Sequence, residues 1–136
     1  MDFNFPEELA AVKNLARDFA DREIAPTAAR DDREKRLRRD LIVKMGELGF
    51  LGCVIPEEYG GTNLGFLALA LISEEIGRVH SAMRVQINMQ IGPALMLLEF
   101  GSQDQKRKHI PRLTAAETLS CFAIAEPNAG SDVASI

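Results

Sequence analysis

Apolar residues recur at three- and four-residue steps through most of the chain, which is the spacing of one face of an α-helix. The apolar series from Leu9 to Ile24 follows this spacing directly after Pro6 and two glutamates. Proline at the first helical position and acids in the first turn are typical of a helix start. We therefore predict a first amphipathic helix that ends at Pro26, where the chain reaches its next proline.

The stretch 30–40 mixes charges of both signs, which favours a solvated helix or a connection between helices. We predict a second helix through this stretch. It ends at Gly49, a typical terminating residue. Its core-facing positions are Leu41, Ile42, Met45 and Leu48.

Glycine and proline punctuate the stretch 50–65, which predicts an ordered, closely turned loop between helices. The next stretch, 66–79, is apolar on most sides in its first half, so we expect a central helix that is covered on several faces. Glu74 and Glu75 follow the apolar run, and either is a candidate ion-pair partner for Arg78.

A further helical pattern starts after His80, with Met83 and Ile87 on one side and polar residues elsewhere. Polar side chains among apolar ones are found in ligand cavities and also at helix interfaces, and the spacing alone favours an interface. Pro93 is expected to cut or kink this pattern, which then continues to Gly101. Ser102 is a candidate N-cap for a short basic helix that runs over 103–110 and ends before Pro111.

The alternation from Thr118 to Ala125 places apolar side chains on both sides and predicts a strand. Glu126-Pro127 ends this strand, and a loop rich in free amides and small polar groups follows at 128–132. A single strand leaves its backbone groups without ladder partners. The pattern thus predicts a helical domain at 1–117, followed at 118–136 by the first strand and loop of a truncated β-domain.

Composition narrows the function classes only slightly. The 136 residues are 46% hydrophobic and carry a net charge of −4, which argues weakly against nucleic acid as a partner. Cys53 and Cys121 stand far apart in apolar context, so we expect buried free thiols, and no residue spacing suggests a metal site. The first six residues lack the pattern of a signal peptide and no stretch is long enough to span a membrane. A cytoplasmic location follows as an expectation.

Motifs carry more information than composition. The segment Ala125-Glu-Pro-Asn-Ala-Gly-Ser-Asp132 resembles the Thr-Glu-Pro-x-x-Gly-Ser-Asp signature of the acyl-CoA dehydrogenase family. Other segments match that family in the same order along the chain. They are Gly46-Glu-Leu-Gly-Phe-Leu-Gly52, Pro56-Glu-Glu-Tyr-Gly-Gly61, Glu74-Glu75, Phe100-Gly101 with Asp104-Gln-Lys106, and Ile110-Pro111.

The resemblance implies an N-terminal helical domain, a middle β-domain and a C-terminal helical domain, usually in a homotetramer. It further implies an FAD-dependent oxidoreductase of fatty acid metabolism that converts an acyl-CoA substrate to the 2-enoyl-CoA. In the family a C-terminal glutamate removes the α-proton, the flavin accepts a hydride, and an electron-transfer flavoprotein takes the electrons. No residue of this chain matches that base, so we assign none as catalytic and expect the isolated chain to be inactive.

Residue roles transfer only where the motif matches. The resemblance assigns FAD contacts to Phe122, Ile124, Ala125, Gly130 and Ser131. It assigns acyl-CoA contacts to Ser131, Arg84, Val85, Gln86, Met89 and Gln90. The family usually has threonine, a flavin hydrogen-bond donor, where this chain has Ala125, and a glycine where it has Ala116.

One segment is also similar to members that act on dicarboxylic acyl groups, which share its Ser-Ala-Met-x-Val-Gln pattern at 81–86. Those members carry an arginine at the position of His80, whereas this chain carries Arg84 nearby. Arg84 either faces a substrate carboxylate or pairs with a glutamate. Two other functions stay open: a non-catalytic helical interaction module derived from the family, and part of an acyl-CoA oxidase.

Overall fold

The computed structural model describes residues 4–136. Residues 1–3 belong to the N-terminal stretch for which no signal peptide is predicted, and they lie outside the described residues. Helices occupy most of the described residues, which confirms the mainly helical fold class. The α-helices are α1 (Glu7–Phe19), α2 (Ala25–Arg33), α3 (Arg39–Glu47), α4 (Phe66–Val79), α5 (Ser81–Phe100) and α6 (Gln103–Thr114). Short 3₁₀ turns lie at Phe50–Gly52, Glu57–Tyr59 and Val133–Ser135.

The first helix does not end at Pro26, and the prediction that it does is wrong. α1 passes into a π-helical turn, Ala20–Ile24, in which the N–H of Ala25 donates to the carbonyl of Ala20. Pro26 is then the second residue of α2. Proline is tolerated at this point because N–H groups in a first turn have no α-helical acceptor to reach.

The charged stretch 30–40 is divided between two helices and the connection between them. α2 ends at Arg33, and Lys35 adopts a left-handed φ of 52°. The N–H of Arg36 donates to the carbonyl of Asp31 at 2.8 Å, a closure typical of a helix C-terminus. Asp31 itself is buried, with only 3% of its surface exposed, and its Oδ2 accepts a hydrogen bond from Thr27 at 2.6 Å. The prediction that the whole stretch is solvated is therefore wrong at Asp31.

The hydrophobic core forms where α1 packs on α4 and where α5 packs on α4 and α6. Gly49 has a φ of 76° directly after α3, which confirms it as the residue that ends the helix. Of the four predicted core-facing residues, Leu41, Ile42 and Met45 are buried in α3, and Leu48 is partly buried directly after it. α4 is not covered on several faces in its first turn, because Phe66 and Leu67 are 68% and 49% exposed.

Two prolines that were expected to end or break helices lie inside them. α5 continues through Pro93, with Met83, Ile87 and Ile91 all buried on its core face. α6 likewise continues through Pro111 to Thr114. Packing against neighbouring helices outweighs the one backbone hydrogen bond that each proline removes. The predicted N-cap is confirmed: the hydroxyl of Ser102 and the side chain of Gln105 form a capping box.

The predicted strand 118–125 forms no β-ladder in the described chain, where the bridge Glu126–Ala129 is the sole β-type pairing. The ladder is missing because a strand needs a neighbouring strand to pair its backbone groups, as expected from the sequence. Phe122 and Ile124 are 49% and 48% exposed, and Cys121 is exposed, contrary to its expected burial. Cys53 is buried as expected, and burial raises the pKa of its thiol to about 11.

Candidate functional site

The residues assigned to FAD lie in an exposed segment that leaves the helical domain after Ser120. From Cys121 to Ala125 no backbone N–H donates to an acceptor within the described chain. A tight turn follows, in which Glu126 and Ala129 exchange backbone hydrogen bonds of 2.8 and 3.1 Å. A Cβ added at Gly130 would meet no atom within 4 Å, so the loop is open to a ligand at that residue.

Gln90 connects this segment to α5. Its side chain is 2% exposed, and Nε2 donates to the carbonyl oxygens of Leu113 at 3.0 Å and Thr118 at 2.8 Å. Its Oε1 accepts from the N–H of Ser120 at 2.8 Å. The structure therefore places Gln90 against the chain that enters the FAD segment. Its assigned contact with an acyl-CoA stays a prediction.

The other residues assigned to the acyl-CoA lie on two sides of α5. Val85, Gln86 and Met89 are partly buried and, at 100° per residue, fall on the side away from α4. Arg84 lies on the opposite side, where its aliphatic carbons come within 3.4 to 3.7 Å of a Cβ built on Gly77. The structure thus separates Arg84 from the other residues of this group.

The Arg84 guanidinium has no hydrogen bond or ion pair with any residue that the structure describes. The two glutamates of α4 are engaged elsewhere, since Glu75 binds Arg17 and Glu74 binds Lys13. Arg84 therefore has no structural ion pair among the described residues, and its assigned contact with a substrate carboxylate stays a prediction.

Glu75 has a structural role, as predicted. Its carboxylate is 2% exposed and accepts a two-pronged hydrogen bond from Arg17, with Nε at 3.0 Å and Nη2 at 2.8 Å. Arg78 adds a hydrogen bond of 3.4 Å, and Lys13 lies at 3.8 Å. These contacts join α1 to α4. The hydrogen bonds from Arg17 lower the pKa of Glu75 against the opposing effect of burial.

We expect the Glu75→Gln variant to lose stability relative to the native chain at neutral pH, and less so in acid. Because the folded pKa of Glu75 lies below its ordinary 4.5, its carboxylate stabilises the fold above pH 4.5, and this stabilisation is lost as the pH falls through the folded pKa. Urea unfolding at a series of pH values from about 3 to 7 measures the effect.

Glu74→Gln is the matched control, since it removes a neighbouring carboxylate that is 63% exposed and binds only Lys13. Its stability should stay closer to that of the native chain at every pH. A constant difference between Glu75→Gln and the native chain across the acid range would contradict the prediction.

Two surface grooves of the described chain lie away from the residues assigned to FAD and acyl-CoA. The larger, about 560 Å³, is open and lies between α2 and the α4–α5 junction. His80 and Ser81 line it, and its Arg78 is already paired with Asp21 at 2.7 Å. A second groove, about 350 Å³ and apolar, lies between α5 and α6. The grooves contain none of the residues assigned to FAD or acyl-CoA.

Sequence reasoning overlooked Ser120, which holds the exposed segment on α5. Its hydroxyl donates to the carbonyl of Met89. The available signal was Pro93, because a proline in a helix lacks the N–H that would bond the carbonyl four residues earlier. A polar residue elsewhere in the chain was therefore needed for Met89. The part of the chain that the structure describes contains no group of side chains suited to a metal and no helix able to cross a membrane.

Comparison of this chain with known proteins identifies the family to which it belongs. A family model described as Acyl-CoA dehydrogenase, N-terminal domain, matches residues 6–117. Glutaryl-CoA dehydrogenase of Desulfococcus multivorans is 47% identical, over 98% of this chain and 35% of that protein. The chain therefore spans about a third of the length of this curated relative.

Solved structures agree with the sequence match. A glutaryl-coenzyme A dehydrogenase in complex with glutaryl-CoA superimposes with a TM-score of 0.96 at 45% identity, covering 100% of this chain and 35% of that one. An acyl-CoA dehydrogenase from Bacillus anthracis complexed with FAD superimposes with a TM-score of 0.84 at 32% identity, covering 98% and 23%. Because the family model matches most of this chain, the chain belongs to the acyl-CoA dehydrogenase family and contains that family's N-terminal domain.

Proposed function

We propose that this chain is the N-terminal part of an FAD-dependent acyl-CoA dehydrogenase, which oxidises an acyl-CoA thioester to the 2-enoyl-CoA. The observation that carries the proposal is the family signature at 125–132, which lies open to a ligand beside the helical domain that the family model matches. The chain spans about a third of its relative, so the catalytic base is proposed to lie outside residues 1–136. The boundary between a helical domain at 1–117 and a β-domain segment at 118–136 stays a prediction.

The exposed segment fits one edge of an FAD site. Free N–H groups from Cys121 to Ala125 suit the polar edge of a flavin ring, and the open backbone at Gly130 and Ser131 suits phosphate groups. Ala125 offers no hydroxyl, and a hydrogen bond of that kind contributes about 1 kcal/mol, too little to prevent binding. When bound, FAD supplies the hydride acceptor. This chain's residues would hold and orient it.

Arg84 supports a narrower proposal about the substrate. The guanidinium of the partly buried Arg84, which has no partner in the described chain, suits the distal carboxylate of a dicarboxylic acyl group. Arg84 precedes Gln90 by six residues, which corresponds to about 9 Å along the axis of α5. Gln90 bonds to Ser120 at the start of the FAD segment. The axial separation of Arg84 from that segment is therefore similar to the length of a short acyl chain. Val85, Gln86 and Met89 remain proposed acyl-CoA contacts, on a different side of α5 from Arg84.

Partners and location follow from the same proposal. We propose an electron-transfer flavoprotein as the electron acceptor, a homotetramer as the assembly and the cytoplasm as the location. The family supports the electron acceptor and the homotetramer. The free thiols of Cys53 and Cys121 support the cytoplasmic location. A place in fatty acid metabolism rests on the family alone.

An activity assay tests the enzyme proposal. The 136-residue chain with added FAD should not oxidise any acyl-CoA in the presence of an artificial electron acceptor. The protein encoded by the reading frame that continues past Ile136 should oxidise at least one straight, branched or dicarboxylic acyl-CoA. Turnover by the 136-residue chain, or a stop codon after Ile136, would overturn the proposal.

A specific observation favours a second candidate, a non-catalytic interaction module. The segment from Cys121 to Ala125 offers free backbone groups and exposed Phe122 and Ile124, which suits the addition of a strand from a partner. A stop codon after Ile136 together with a stable complex would favour this candidate.

A further inference from the structure

We infer that Gln90 is a positioning residue: together with Ser120 it sets the direction in which the chain leaves the helical domain. We call this arrangement the Gln90 clamp; it comprises the Gln90 side chain, the Ser120 amide and hydroxyl, and the carbonyls of Met89, Leu113 and Thr118. The inference rests on the proposed function only for its consequence, that the segment so directed borders FAD.

The side-chain N–H groups of Gln90 have no hydrogen-bonding capacity left for a ligand, and its oxygen already accepts from the N–H of Ser120. Both of its N–H groups are used by the carbonyls of Leu113 and Thr118, and its oxygen faces the N–H and the hydroxyl of Ser120 at 2.8 and 3.0 Å. These partners also determine the orientation of the amide. If it were reversed, its oxygen would face two carbonyls and its NH₂ group would face an N–H.

Within residues 4–136, hydrogen bonds to the helical domain and no β-ladder hold this part of the chain. α6 ends at Thr114, and the chain then turns through Ala116, which adopts a left-handed φ of 57°. Thr118 and Ser120 are the last residues before the exposed segment, and both bond to the buried Gln90. The direction in which Cys121 leaves the domain is therefore constrained by the buried Gln90 side chain, beside the hydrogen bond of 3.1 Å from the Thr118 N–H to the carbonyl of Arg112.

Pro93 supplies the second half of the clamp. It lies inside α5 and lacks the N–H that would bond the carbonyl of Met89, four residues earlier. The hydroxyl of Ser120 donates to that carbonyl instead. A helix-internal proline, which weakens α5 locally, thus creates an attachment point on α5 for the chain that follows α6.

Amide hydrogen exchange of the 136-residue chain tests the clamp without any cofactor. In Gln90→Met, which keeps the size of the side chain but removes its polar atoms, the amide of Ser120 should exchange at least about tenfold faster. The amides of Ile72 and Ile76 in α4 should be unaffected. Gln86→Met is the matched control, because it makes the same change one helical turn earlier and should leave Ser120 protected.

Unchanged exchange at Ser120, or an equal acceleration at Ile72 and Ile76, would overturn the inference. A second pair of variants tests the role of Pro93 and does not depend on the Gln90 variant. Ser120→Ala should accelerate exchange of the residue-120 amide in the native background, and less in Pro93→Ala, where a restored helical N–H reaches Met89. Equal effects in both backgrounds would overturn the assigned role of Pro93.

The consequence for the cofactor is measured separately, in the longer protein loaded with FAD. There Gln90→Met should change the visible circular dichroism of the bound flavin. If exchange at Ser120 responds but the flavin spectrum does not, the clamp stands and its role in positioning the FAD-binding segment is overturned. If the longer protein binds no FAD, the proposed function fails while the exchange result still decides the clamp.

Discussion

Replacing Gly61 by alanine should lower the free energy of unfolding by more than about 3 kcal/mol, a large part of the 5–15 kcal/mol typical of a domain. An added Cβ would lie 1.9 Å from the carbonyl oxygen of Ile55 and 2.4 Å from its carbonyl carbon. These are backbone atoms, so no side-chain rotation can relieve the clash. The loop itself would have to move.

Movement of that loop is costly because its backbone is tied down. The carbonyl of Ile55 accepts from the N–H of Asn63 at 3.1 Å, and the carbonyl of Gly52 accepts from Thr62 at 3.0 Å. Leu51 and Ile55 are fully buried in the core, so displacing the loop also opens the packing of its turns against α3 and α6. The steric and packing costs therefore add.

Gly92→Ala is the matched control. An added Cβ there would meet nothing within 4 Å, and the residue lies inside α5. Alanine favours a helix over glycine by up to about 1 kcal/mol, so this variant should be slightly more stable than the native chain. Thermal unfolding followed by circular dichroism measures both variants. A Gly61→Ala chain as stable as Gly92→Ala would contradict the steric argument.

Replacing Arg84 by methionine should reduce the preference of the longer enzyme for dicarboxylic over straight-chain acyl-CoA by about a hundredfold in kcat/KM. Loss of a charge-assisted contact of about 3 kcal/mol corresponds to that factor. The straight-chain substrate has no carboxylate, so its kcat/KM should change little. Methionine keeps the aliphatic packing of Arg84 over Gly77.

The control for this measurement is Arg22→Met, which makes the same substitution at a side chain that is 79% exposed and pairs only with Asp18. Its substrate preference should match that of the native enzyme. If Arg84→Met reduces kcat/KM equally for both substrates, Arg84 acts on the fold and not on a substrate carboxylate.

Much of the fold could be predicted because the apolar periodicity is strong and local. The bounds of α4, the buried faces of α3 and α5, and the capping box at Ser102 all followed from spacing and cap chemistry. Prolines caused the main errors. Pro26 lies in the first turn of α2, where proline is tolerated. Pro93 and Pro111 lie inside α5 and α6 because packing against neighbouring helices compensates for the hydrogen bond that each removes, and a local rule takes no account of neighbours.

The candidate site shows the same division. The segment 121–132 could be recognised from its residues, whereas its attachment to α5 through Gln90 and Ser120 could not, because the two lie thirty residues apart in sequence. Asp31 likewise looks solvated within its charged stretch and is buried in the structure. Long-range contacts of this kind leave almost no periodic signal.

By itself, the sequence determined the helical class, most of the core-facing residues and the resemblance that the family match confirms, since periodicity and motifs are properties of neighbouring residues. The tertiary structure alone decided which prolines lie inside uninterrupted helices and which polar side chains are buried. It also decided that Arg84 has no partner among the described residues while Glu75 has several. Each depends on what surrounds a residue in space, because burial and neighbouring charge set the cost of leaving a polar group unpaired.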